Sequence, residues 1–255
     1  MDPGYRSPLV DFFRRGDTPR DARLLAAQGG LPAAAHEQLS LLILLTADPD
    51  EEIARCADAT LRALPRQPLE AFLARRDVPA EMTAFFAARG VLPAAEAAAD
   101  AAEPLVPSAD GDAADGKPGT SDAPQVLAGL PITAKLKLAS KGTREQRAQL
   151  IRDPNRMVAA AVLSSPKLTD AEVEAFAKMA NVSEEVLRVI GTNRTWLKNY
   201  GVVLGLVRNP KTPPAISMQL MHRLVERDVK MLSVDRNVPE VLRLAARKRA
   251  VKTLS

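Results

Sequence analysis

The sequence predicts an all-α protein: a helical repeat, or α-solenoid, with two helical domains separated by a disordered acidic linker. Three observations carry this. Asp153, Asn181, Asn209 and Asn237 recur at a strict 28-residue interval, and a fixed period of that length marks a repeat array. No segment sustains a two-residue alternation, so strands are not expected. Aromatics make up only 4% of the 255 residues against 46% hydrophobics, so the core must be filled by Leu, Val and Ala, which suits closely packed helices.

The columns inside the repeat agree with its first residue. Counting each Asx as position one, position six holds Val158, Val186, Pro214 and Leu242, and position ten holds Val162, Ile190, Met218 and Ala246. A spacing of four puts the two columns on one helical face. Position twenty-four holds Phe176, Leu204 and Leu232.

From the N-terminus, residues 1–92 read as a helical domain. The opening carries Asp2, Arg6, Asp11 and Arg14 with no long apolar run, so it is not a secretory signal. The longest apolar stretch, Leu39 to Leu45, falls far short of the roughly 20 residues of a membrane span and reads as a buried helix. A soluble cytoplasmic protein is the expectation, with peripheral membrane association left open. Asp48 and Asp153, each followed by Pro, read as N-caps with Pro at the first helical position. Cys56 is the only cysteine, which excludes an intrachain disulfide and a cysteine-rich metal site; it reads as a buried thiol.

Residues 93–125 differ in character, being rich in Ala, Asp, Gly, Pro and Ser, with Leu105 and Val106 as their only large hydrophobics. Such a segment cannot offset its ordering entropy by burial, and disorder is expected. About five helices should precede it and seven or eight follow, with capping boxes at Thr169/Glu172 and Thr143/Gln146. The charge is segregated: net −2 over residues 1–91, −6 over 92–125 and +12 over 126–255. The basic domain, residues 126–255, could attract an acidic protein, nucleic acid or an anionic membrane, or the acidic tether could fold back on it as a local competitor.

The string from Asn209 to Asp228 resembles the leucine-rich-repeat-variant and HEAT-like class of bacterial α-solenoids through Asn209, Pro210, Thr212, Pro213, Leu220, Leu224 and Asp228. The resemblance covers roughly the last 120 residues, and residues 20–90 more loosely. It implies a curved stack of short helices that offers a long surface to a macromolecule, and it implies no catalytic residues. The period of 28 is longer than usual for the variant repeat, and the N-terminal cysteine cluster of some members is absent, so an iron–sulfur function does not carry over.

Catalytic chemistry finds little footing. His36 and His222 are isolated, no phosphate-cradling loop or nucleophile elbow is present, and no cofactor is expected. Three candidate binding features remain. Trp196 and Tyr200, four apart, read either as a recognition spot or as a filler between repeats. Arg208 and Arg236, at position twenty-eight of successive units with Lys211 nearby, read either as a ladder along one edge or as caps of their own helices. Arg243, Arg247 and Lys248 read either as a phosphate-contacting stripe or as the solvated outer face of a terminal unit. The reading is a non-enzymatic protein–protein adaptor or scaffold. The alternative is sequence-independent nucleic-acid binding through the basic domain.

Overall fold

The computed structural model describes residues 2–31, 34–96, 105–106 and 127–252. Among them the chain is all-helical, without a strand. Six helices precede the acidic segment: α1 (Pro8–Arg15), α2 (Arg20–Ala27), α3 (Ala35–Leu45), α4 (Glu51–Arg62), α5 (Arg66–Leu73) and α6 (Ala80–Ala87). Nine follow it: α7 (Ile132–Lys141), α8 (Arg144–Leu150), α9 (Arg156–Leu163), α10 (Asp170–Lys178), α11 (Glu184–Thr192), α12 (Tyr200–Arg208), α13 (Pro214–Met221), α14 (Glu226–Leu232) and α15 (Glu240–Lys252). The expectation of disorder over 93–125 falls mostly outside the described residues.

Two compact units are present, one of residues 1–150 with 160–167 and the other of residues 151–159 with 168–255. The division therefore does not follow the charge profile. Helix α7 begins the basic half of the sequence, yet its apolar face, with Leu136 and Ala139 buried, belongs to the first unit and packs on α2.

In the first unit, α3 is the central element. Its apolar run is too continuous for a one-sided helix, and all its residues except Leu44 are buried beneath α1, α2 and α4. The same run carries His36, Glu37 and Gln38 into the interior. His36 is stacked on Tyr5 at 5.2 Å and meets the edge of Phe72 at 4.7 Å. Burial holds its pKa below the ordinary value, against the opposing pull of Asp77.

Helix starts needed one correction. Asp48 and Asp153 are not the N-caps. Their side chains accept from the backbone amides two residues on, Asp50 at 2.9 Å and Asn155 at 2.8 Å. These Asx turns leave the second polar residue to cap the helix. Asp50 accepts from Glu52 N at 3.0 Å and Asn155 from Met157 N at 2.9 Å, while Asp48 is also tied to Arg23 of α2 at 2.5 Å. The capping box at Thr169/Glu172 forms, and Thr143 and Gln146 exchange the same pair of bonds. Cys56 is half-buried rather than buried, and burial raises its pKa.

The helix starts from α9 onward keep the 28-residue clock, with one slip. Helices α9, α11 and α15 each begin three residues after their Asx, but α13 begins five after Asn209. Pro213 and Pro214 are the cause: the pair moves the helix start to Pro214, where a ring at the first position costs no hydrogen bond. The buried face moves with it. Val158, Val186 and Leu242 are buried at position six and Val162, Ile190 and Ala246 at position ten, whereas in the repeat opened by Asn209 Pro214 is exposed and Ser217, Leu220 and Met221 are buried instead.

Candidate functional site

Asn209 is the most buried of the four clock residues. It is 4% exposed and ends α12. Its amide donates to Ala177 O and Met179 O, both at 2.9 Å, and accepts from Lys211 N at 3.0 Å. It thus satisfies carbonyls that the C-terminal end of α10 leaves open, and it starts the turn into α13. Only an amide can donate twice and accept once there. Gly205 allows the close pairing of α10 and α12, since a Cβ at that point would lie 3.1 Å from Lys178 Cγ and 3.2 Å from Ala177 Cβ.

Trp196 and Tyr200 do not share a helical face. Asn193 bonds Thr195 N at 2.9 Å and Asn199 bonds Gly201 N at 2.8 Å, local bonds that compete with helix formation. Trp196 therefore sits half-buried in a 3₁₀ turn, Trp196–Lys198, while Tyr200 opens α12. The Tyr200 hydroxyl donates to Asp228 and accepts from Val225 N at 3.3 Å, so it fastens the start of α12 to the start of α14. Burial, first, and the Asp228 bond push its pKa upward. Tyr200→Phe should cost about 1 kcal/mol in urea unfolding, the net worth of such bonds at a half-exposed site.

Of the basic candidates, Arg208 lies 3.6 Å from Asp228 and lines a surface depression of about 850 Å³ with Lys178, Asn209 and Asp235. Both cations of that depression are engaged, since Lys178 also pairs with Glu174 at 2.6 Å. Lys211 is exposed. Arg236, Arg243 and Arg247 come together differently. They line a second depression, of about 540 Å³, with Val234, Glu240 and Leu244. None of the three has a carboxylate oxygen within 4.0 Å among the described residues. Arg247 is steadied by donating to Ser233 O at 3.1 Å. Lys248 is exposed, but five residues from Arg243 it stands about 140° away around α15, outside this cluster.

Two elements of this region are less evident in the sequence. Val234 is 68% exposed, Val241 64% and Leu244 48%; the warning was present, because α15 is apolar on more sides than one buried face requires. Arg249, next to Lys248 in the sequence, turns back on α13. Its guanidinium donates to Met221 O, to His222 O at 3.3 Å and to Leu224 O at 3.4 Å.

Among the described residues, no group of three or more His, Cys, Asp or Glu could hold a metal ion, and no helix is long and apolar enough to cross a membrane. Compared with known proteins, the chain matches no family model, no curated protein and no solved structure.

Proposed function

We propose that the protein is a non-enzymatic, helical-repeat adaptor that binds another protein through the surface formed by α15 and the turn before it. One observation carries this reading: three arginines without carboxylate partners among the described residues surround a depression whose rim exposes Val234 and Leu244. Arginine beside exposed apolar side chains is the composition of a protein-recognition patch. A phosphate-tracking surface has no use for the valine and leucine, and Glu240 in the same depression would repel a phosphate backbone. The matching partner presents carboxylates around an apolar side chain.

The full chain, immobilised, should retain a discrete protein from its native lysate through nuclease treatment and moderate salt. Arg243→Ala with Arg247→Ala should weaken that retention by about tenfold or more, as should Leu244→Glu. Both variants should melt within about 0.5 kcal/mol of the parent, since these side chains are exposed or half-exposed. Retention of nucleic acid alone, lost steeply with salt, would instead assign the surface to phosphate binding.

A further inference from the structure

We propose that the first unit contains a peptide-binding site at Gly29 and Gln38, whose ligand is a Leu-Val segment and which Leu105–Val106 of this chain fills in cis. Gln38, on α3, is only 3% exposed. Its side chain accepts from Val106 N at 2.9 Å and donates back to Val106 O at 3.3 Å. One amide thus reads both backbone groups of one residue, so the segment is held through its main chain by a side chain that can both accept and donate.

Selection comes from Gly29, in the turn after α2. A Cβ at that position would lie 2.6 Å from Val106 Cγ1, so the valine occupies space that only glycine leaves open. The φ of +70° already favours glycine in this turn; the contact with Val106 is a second consequence of the same residue. The ligand segment is equally distinctive, because Leu105 and Val106 are the only large hydrophobics in residues 93–125.

Both residues are half-buried, and among the described residues Val106 is held by the two hydrogen bonds to Gln38 and lies against Gly29. That is modest for a fixed core element. A tether supplies a local concentration in the millimolar range, so weak intrinsic affinity keeps the site filled while leaving the segment displaceable. The site involves residues of the first unit alone.

The test uses the full chain and a fluorescent peptide of residues 101–110. A chain carrying Leu105→Ser with Val106→Pro vacates the site, because proline has no N–H for Gln38. Fluorescence anisotropy should show this chain binding the peptide at least about tenfold more tightly than the parent, whose site is occupied. Placing Pro at the Val106 position of the peptide should abolish binding, and Gln38→Met in the vacated chain should weaken it by about tenfold. Equal affinity of the parent and vacated chains would overturn the proposal. So would an absence of binding by a vacated chain whose circular-dichroism melt matches the parent's, or undiminished binding of the proline peptide. The peptide substitution tests the Gln38 bond even if the Gln38 variant does not fold.

Discussion

Between pH 4.5 and pH 7 the folded protein should lose about 3 kcal/mol of stability relative to Glu37→Gln. Glu37 lies on the buried helix α3, is 3% exposed, and its pKa is raised from 4.5 to about 7, chiefly by burial. The Ser7 and Ser164 hydroxyls beside it oppose the shift, but one carboxyl oxygen and the Ser164 hydroxyl have no partner among the described residues. The sign follows from proton uptake. Below pH 4.5 both folded and unfolded chains hold the proton, and the acid costs nothing extra. Between 4.5 and 7 the unfolded chain releases it while the folded chain retains it, so stability falls with rising pH and the loss is complete above 7. Tyr5, pushed up to about 12 by burial and then by the charges of Glu37 and Asp77, stays neutral throughout. His36 has the opposite sign, since a lowered pKa penalises its protonation as pH falls; subtracting the Glu37→Gln curve removes most of that contribution. Urea unfolding of both chains at intervals from pH 4 to 8 checks this, and parallel curves would show that Glu37 ionises freely in the fold.

Asn209→Ala should cost about 3 kcal/mol, because it leaves the carbonyls of Ala177 and Met179 without their donor in a buried place and removes the acceptor for Lys211 N. Asn209→Asp separates hydrogen bonding from packing. It preserves size but turns two donors into a carboxylate facing two carbonyl oxygens, so at neutral pH it should be at least as destabilising as the alanine. Acid should partly rescue it, since the protonated side chain can donate once. If the aspartate variant matches the parent at pH 7, the amide bonds are not what holds α10 to α12.

The helices were legible because their signals are local: capping boxes, Asx residues, prolines and a fixed interval. The same locality explains the errors. Asp48 and Asp153 look like caps to any reader of Asp-Pro, but an equally good cap stands two residues later, and the Asx turn decides between them. The Pro213–Pro214 pair was visible, while the shift of the buried face that it imposes depends on where the helix begins. Trp196 and Tyr200 share a face only if the helix is continuous, and the asparagines around them interrupt it. The candidate surface was half legible. Arg243 and Arg247 share a depression, as their spacing of four allows, but Arg236 joins them there and not the row with Arg208 that its repeat position suggested. Arg208 is committed to Asp228 and Arg249 to α13, long-range partners that no spacing rule reveals. Gln38 was lost inside an apolar run, because its partner lies 68 residues away.

The bonds from Arg249 to the end of α13 give digestion from the C-terminus an uneven course. An exopeptidase that stops after Arg249 leaves those bonds in place, whereas one that removes it exposes three backbone oxygens at once and frees the last turn of α13 to fray. Trimming would then proceed not as a gradual shortening but across a step, with a resistant fragment ending at Arg249 and rapid loss beyond it.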